Sequence, residues 1–427
     1  MIRPTMPLTI CIYEDHRHGQ FEPLSRLRPV YLMRSGIMSL HQRAGCFFDT
    51  VHVCLASRKV LAPVIGEQAR DYPVNIVKRG EGDVLFLNGR MRDIGDLPQL
   101  VSEAQLSTRF SNGGETVAVL FKRDTINSMP SIVTPEQFVE RFNSAADNIA
   151  DQETKAALYD FCWDFVEDID TMIRADYDRL RPSLPPSAGT TAQGAWLVNE
   201  GDIYLAQGVS VAPGALLDAS GGPIFIDTQT RIESQAAIYG PTYVGPNSRI
   251  VAGKIEASSI GHTCRAGGEI EASIFQSYVN KYHAGFIGHS YVGSWVNFGA
   301  MTTNSDLKNN YSNVKVTVGG KVIDTGSLKV GSFIGDHTKF GIGSLLTTGI
   351  CTGVCCNIFG GGVTSDREVP SFSWGNSGNW QPYDLERAIL TVRRSCERRN
   401  APLSSHEEHL LQLIAEGKSP DEGIISF

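Results

Sequence analysis

In several runs between residues 205 and 358 aliphatic and aromatic side chains recur at every sixth position. Ile226, Ile232, Ile238, Val244 and Ile250 follow one another without a miss, and Leu205, Val211 and Leu217 keep the same interval before them. The interval returns at Phe286, Val292 and Phe298, then at Leu328, Ile334, Phe340 and Leu346, with Ile358 two steps on. A period of six matches neither the 3.6-residue helix nor the two-residue strand. It belongs to a larger unit, a short strand closed by a tight turn, which offers one inward apolar residue per unit to its neighbours in a stack. Such units build a three-sided prism. Glycine often follows the inward residue, as in Val244-Gly245, Val292-Gly293 and Ile334-Gly335, and this reads as corners at positive φ.

The flanks carry other patterns. LTICIY at 8–13, VHVCL at 51–55, VLFLN at 84–88 and TVAVLF at 116–121 are apolar strand-like runs with helical stretches such as 37–43 between them. They predict an α/β, Rossmann-like domain on a parallel sheet. Thr134-Pro135-Glu136-Gln137 reads as a helix start. Leu158, Phe161, Cys162, Phe165, Ile169, Met172 and Ile173 keep helical spacing and predict one long amphipathic helix. It leads into RPSLPPS at 181–187, a linker by its prolines. Of the 43 glycines, 30 lie in 185–375, so the expected parts are 1–185, 186–375 and a short helical extension, 376–427. That extension reads as two helices at 384–400 and 404–417, the second opening on Ser404-Ser405-His406-Glu407.

Composition narrows the function. Lys and Arg number 38 against 46 Asp and Glu, a formal charge of −8 over 427 residues. This argues against nucleic acid as a partner, which demands clustered cations. No apolar run reaches the length of a membrane span, and the amino terminus lacks a signal core. Nine scattered cysteines without a CxxC pair suit a reducing cytoplasm, which is the expected location. Cys351, Cys355 and Cys356 lack a fourth ligand at zinc-finger spacing, so no metal centre is expected there.

The densest polar cluster of the repeat block is VNKYHAGFIGHSYVGSWVNFGAMTTN, residues 279–304. A neutral imidazole such as that of His283 can take the proton of an attacking amine near working pH. Asn297 can orient the acceptor, and backbone N–H groups along the turns can receive an oxyanion.

The repeat block resembles the left-handed parallel β-helix of the hexapeptide-repeat acyltransferases. Residues 279–304 resemble the acetyltransferase half of the bifunctional, GlmU-like family that makes UDP-N-acetylglucosamine. In that register His283 falls on the catalytic histidine, Asn297 on the active-site asparagine, and Gly299-Ala300 on the segment that meets the coenzyme. The resemblance implies acetyl-CoA as donor, a glucosamine-1-phosphate-like acceptor and a homotrimer. It also implies Arg265, Lys281 and Asn304 at the substrate, Gly360 at the coenzyme, and the loop 304–316 as a cover over the site. Two positions depart from the pattern: Phe286 stands for a tyrosine and Glu271 for a lysine. Arg393, Arg394, Arg398 and Arg399 read either as helix-end charge or as contacts to coenzyme A phosphates. The γ-type carbonic anhydrases bind zinc with three histidines between subunits, and His262, His283 and His289 invite that comparison. The six-residue step from His283 to His289 puts those two on adjacent faces.

Residues 10–43, through Leu24, Arg28-Pro29, Arg34 and Gly36-Ile37, and WDFVEDIDTMIRADYDRL at 163–180 resemble a divergent bacterial branch of sugar-1-phosphate nucleotidyltransferases fused to β-helices. That implies a nucleoside triphosphate and Mg²⁺ in the first domain, with Arg28 and Arg34, helped by Arg26 and Arg90, on phosphates. The glycine-rich loop is reduced to Gly19, and Asn88 stands where the metal-holding aspartate belongs. The expected function is therefore a sugar-nucleotide biosynthesis transferase. A sensor or scaffold that lost both chemistries, or an acyltransferase with a silent first domain, stays open.

Overall fold

The computed structural model describes residues 8–48, 51–78, 82–144, 149–418 and 422–427. The first part is built on a six-stranded sheet of β1 (Leu8–Tyr13), β2 (Val51–Ala56), β3 (Val84–Asn88), β4 (Thr108–Asn112), β5 (Glu115–Phe121) and β6 (Ala150–Glu153). Their order is β2-β1-β3-β5-β4-β6. β1 runs parallel to both β2 and β3, while β5 is antiparallel to β3 and β4. β1 and β3 are mostly apolar because both sheet faces are covered: Ile10, Ile12, Leu85 and Leu87 enter one core, Cys11 and Phe86 another. All four strand-like runs become strands. The helix expected at 37–43 starts three residues later, as α1 (Leu40–Phe47), and is followed by α2 (Ala62–Gln68). α3 (Pro135–Ser144) opens where its capping residues predict, with Gln137 accepting from the Thr134 N–H at 2.9 Å. The long helix breaks in two, α4 (Cys162–Glu167) and α5 (Ile169–Leu180). Leu158 lies outside both, because Ala157–Leu158 pairs as a strand with Met91–Asp93.

The glycine-rich block is a parallel β-solenoid with three ladders, as the hexads require. On ladder A the register runs Arg231, Arg249, Arg265, Asn280, Asn297, Lys339 and Asn357 along the outside. One residue further, Ile232, Ile250, Ala266, Lys281, Phe298, Phe340 and Ile358 face the interior, each at most 2% exposed. Ladder B stacks Leu217, Ile238, Ile255, Ile270 and Ile287 inside; ladder C stacks Ile226, Val244, Ile260, Phe275, Val292 and Ile334.

Two expectations about the cadence need correction. After Ile250 the step shortens to five, to Ile255 and then Ile260, so Ile287 points inward and Phe286 stays half-buried outside. Leu328, at the end of an insertion, is 49% exposed. The glycines after inward residues also serve a different purpose. A Cβ on Gly245 would lie 2.8 Å from the Gly261 backbone, and one on Gly335 would lie 2.7 Å from that of Gly353. These glycines admit the next coil, and neither has positive φ. Positive φ falls instead on bulky residues at the corner between ladders C and A: Tyr278 (54°), Trp295 (64°) and His337 (61°). Each donates its N–H to the coil before, to His262, Ser277 and Ser294 carbonyls at 2.9–3.1 Å. Their rings stack, Tyr278 on Trp295 at 3.9 Å and Trp295 parallel to His337 at 6.2 Å.

The outer side of ladder C is covered by the first part of the chain. Trp163 and Phe165 pack edge-on against Phe333 and Tyr291, Ser259 Oγ donates to the Gly36 carbonyl at 2.6 Å, and Gln276 Nε2 donates to that of Leu32 at 2.9 Å. Residues 376–427 then touch both other parts. α6 (Leu385–Glu397) and α7 (Ser405–Ala415) start at the expected caps, Asp384 and Ser404. Ile389, Val392 and Leu411 share one core with Leu61 and Val64 of the first part and Val354 of the solenoid. Beyond them Ile425, 1% exposed, and the Phe427 ring, 5.1 Å from Phe86 and 5.4 Å from Tyr13, complete the first sheet's second core. Among the described residues no helix is long and apolar enough to cross a membrane.

Candidate functional site

Ladder A's outer row and α6 enclose a cleft of about 490 Å³. Parallel pairing places Arg265, Asn280, Asn297 and Lys339 on successive rungs of one column, and all four line the cleft together with His283. Asn280 Nδ2 donates to Asn297 Oδ1 at 2.8 Å, which fixes the orientation of the Asn297 amide. His283 follows the strand Asn280–Lys281 at the corner toward ladder B; its residue is exposed and its ring lies 5.5 Å from that of Tyr282. The imidazole is therefore outside the prism, where an acceptor can reach it.

From α6 and its end come Thr391, Ser395, Arg398 and Arg399. Arg399 is half-buried, and its pKa lies below the usual guanidinium range through burial first and then the neighbouring Arg265 and Arg398. Of the four arginines with two readings, Arg393 is tied to Glu408 at 2.6 Å, while Arg398 and Arg399 line the cleft. Lys339, which sequence reasoning missed, donates to the Trp295 carbonyl at 2.5 Å, and burial pushes its ammonium down to about 8. Its signal was available: Lys339 precedes the inward Phe340 as Asn297 precedes Phe298. The cleft thus joins four cations and an accessible imidazole to the aromatic faces of Tyr278, Tyr282 and Trp295.

Other expected site residues lie elsewhere. Lys281 takes an interior rung of ladder A, where its ammonium donates to the carbonyls of His283 at 2.5 Å and Gly267 at 3.3 Å; it faces away from any substrate. Asn304 is also inside, 2% exposed, accepting from the Gly288 N–H at 2.8 Å and donating to its carbonyl at 3.0 Å. Gly299 abuts the next coil, 2.5 Å from a built Cβ to the Gly341 backbone. Ala300 follows it at the corner toward ladder B, half-buried, and Gly360, at φ 95°, lies against Asn376. None of these three lines the cleft. The loop 304–316 does not cover the cleft. It leads into a hairpin, Lys315–Val318 with Lys321–Asp324, whose Gly319 and Gly320 N–H groups donate to Glu368 at the end of ladder C. His262, His283 and His289 occupy three different corners, so they do not converge on one point within a single chain; His289 Nδ1 instead meets Asp306 at 2.7 Å.

In the first part the carboxyl ends of β1 and β3 form the crevice where parallel α/β sheets bind ligands, here about 230 Å³. Arg28 is not in it. That side chain, 7% exposed, crosses to the solenoid and pairs with Asp336 Oδ2 at 3.1 Å and Ser294 Oγ at 3.2 Å. Both terminal guanidinium nitrogens, Nη1 and Nη2, are engaged, so the expectation that Arg28 binds phosphate fails. Arg34 also lies against ladder C, 5.1 Å over the Tyr243 ring. Arg26 is paired with Glu22 and Arg90 with Asp15 and Glu115. Asp15, which the sequence did not single out, is a carboxylate at the strand ends, beside Glu115, whose oxygens pair with Arg17 and Arg90. Asp15 Oδ1 accepts from the Arg17 N–H at 3.1 Å, and its Oδ2 accepts from Arg90 at 2.8 Å and Asn88 at 3.0 Å. This donor set does not fit a magnesium ion, since the carboxylate is engaged on both oxygens and Asn88 offers an amide. Residues 425–427 line the same crevice.

Residues 10–183 match the family described as sugar nucleotidyl transferase. A bifunctional sugar-1-phosphate nucleotidylyltransferase/acetyltransferase of Sulfurisphaera tokodaii is 33% identical over 152 residues, covering 32% of this chain and 37% of that protein. The bifunctional protein GlmU of Methanocaldococcus jannaschii is 31% identical over 103 residues, 24% of this chain and 25% of that protein. The chain thus spans between a quarter and just over a third of the length of these relatives. A solved UDP-N-acetylglucosamine acyltransferase from Campylobacter jejuni is 10% identical, with a TM-score of 0.26 over 56% of this chain and all of that one.

Proposed function

We propose that this chain is an acetyl-CoA-dependent N-acetyltransferase of sugar-nucleotide biosynthesis. It acts on a phosphorylated amino sugar in the ladder A cleft and carries a nucleotidyltransferase-like first domain. The observation that carries the reading is the exposed His283 ring beside Arg265, Lys339, Arg398 and Arg399 in one cleft. Four cations suit phosphates of donor and acceptor, and the imidazole suits proton removal. In this mechanism the amine nitrogen attacks the thioester carbonyl carbon while His283 accepts the amine's proton. The tetrahedral oxyanion then collapses, the carbon–sulfur bond breaks, and the proton returns to the departing thiolate. Asn297, oriented by Asn280, positions the acceptor. A homotrimer and a cytoplasmic location belong to the same reading. Ile342, Leu345 and Val363, 73%, 41% and 59% exposed, are apolar surface that a second copy would cover.

The first domain is read as silent in nucleotidyl transfer. Its crevice has both oxygens of Asp15 engaged and is lined by residues 425–427, so no step through a metal is assigned to it.

The test is acetyl transfer from acetyl-CoA to glucosamine 1-phosphate, followed by thiol release. His283→Ala is expected to lower kcat by about 10²–10⁴, the usual worth of a positioned general base. Undiminished turnover in that variant would remove His283 from the reaction.

A further inference from the structure

A second cavity, about 690 Å³, lies where the three parts of the chain meet. Its volume is that of an ordinary small-molecule site, and the proposed reaction gives it no task. Ser39 and Gln68 reach it from the first part, Gln276 and Ser294 from the solenoid, and Pro402 from the segment before α7.

The charges around it are unevenly satisfied. Asp336 is paired with Arg28, Glu407 with His337 at 3.1 Å, and Glu67 with His406 at 2.8 Å. At the rim, Arg70 is exposed and donates to the Glu67 carbonyl. Arg34 differs from all of these. Its main-chain N–H is fixed by Gln276 Oε1 at 3.1 Å and its Nη1 by the Ile37 carbonyl at 2.6 Å. Its Nε is buried without a hydrogen-bond partner. Among the described residues no carboxylate lies within ion-pair distance of it. The guanidinium is half-buried and lies 5.1 Å over the Tyr243 ring, and an anion in the cavity would supply the counterion it lacks. The two neighbouring imidazoles, His41 and His262, are held down to about 4 by burial first and then Arg34 among the smaller causes, so they stay neutral and leave the cation's field intact. Ser39, Gln276 and Ser294 give the cavity a polar wall, although each is also hydrogen-bonded within the protein.

We propose that this junction cavity binds a small hydroxyl-rich anion of sugar-phosphate size, with Arg34 as its anchor. Tyr278 and Trp295 line both this cavity and the ladder A cleft, so occupancy of one is felt at the wall of the other. The inference does not rest on the acetyl-transfer reading.

Equilibrium dialysis of the full chain against labelled glucose 1-phosphate tests it. Two sites per chain are expected, one lost in Arg399→Gln and the other weakened at least tenfold in Arg34→Gln. Gln68→Trp, at an exposed position of α2, is expected to block the same site by volume without touching Arg34. Binding unchanged in both Arg34→Gln and Gln68→Trp overturns the proposal. A single site that responds to Arg34→Gln but not to Arg399→Gln upholds it while counting against the cleft.

Discussion

Removing the Arg28 guanidinium tests how the first part is held to the solenoid. Arg28 is 7% exposed and Asp336 1%, so both charges have left water. In Arg28→Met, Asp336 keeps only the Ser294 N–H, at 2.5 Å, as hydrogen-bond donor. Stranding one member of a buried pair costs about 3–5 kcal/mol. With a urea m-value of about 3 kcal/mol/M, that cost moves the unfolding midpoint down by about 1–1.7 M. Trp163 reports on it, since its ring packs against Phe333 across the same interface. Asp336→Leu should cost a similar amount, because it strands the Arg28 guanidinium. The double variant Arg28→Met with Asp336→Leu should cost much less than the two singles added, because a buried pair and an apolar replacement are nearly equivalent. A midpoint shift below about 0.3 M in Arg28→Met, or simple additivity in the double variant, would refute the reasoning.

Other consequences are quicker to check. Gly299→Ala places a Cβ 2.5 Å from the Gly341 backbone, which cannot yield as a side chain would, so a loss of about 1–3 kcal/mol in urea melts is expected. His41 and His262 are depressed to about 4 from an ordinary 6.5 by burial. Their stabilising effect is complete above pH 6.5 and fades as acid approaches 4, because the unfolded chain protonates first. The wild-type thermal midpoint should thus fall across that window, and His262→Gln should flatten the fall; equal slopes would contradict the buried neutral ring. Of the nine thiols only Cys46 is exposed, so a thiol-specific reagent should label one cysteine rapidly in the native chain and the rest only on unfolding. Two or more fast thiols would show that the packing is looser than described.

The solenoid was legible because its cadence is enforced by geometry: each coil has three inward positions, and an aliphatic at each is visible in the chain. Where the coil shortens to five-residue steps, at Ile255 and Ile260, the count fails, although the fold does not. Asn304 shows a different failure. Six residues beyond Phe298, it falls on an inward rung, but its polarity reads as a surface site until its bonds to Gly288 are seen. Lys281 misleads in the same way. His283 and Asn297, which line one cleft, stood out because their neighbours resemble a family pattern. Arg28 could not be read correctly, because its partner Asp336 lies 308 residues away and no local rule connects them. Likewise, nothing near Phe86 announces that Phe427 completes its core.

That last packing has a bearing on synthesis. Thr116 and Phe427 are 311 residues apart, and at ~5–20 residues per second the ribosome needs about 15–60 s to cover the distance. Throughout that interval the side of the nascent sheet that awaits Ile425 and Phe427 is wet and adhesive. Folding of the region around Phe86 therefore ends only after residues 425–427 emerge, and a helper that shields exposed aromatic surface would matter most during this delay.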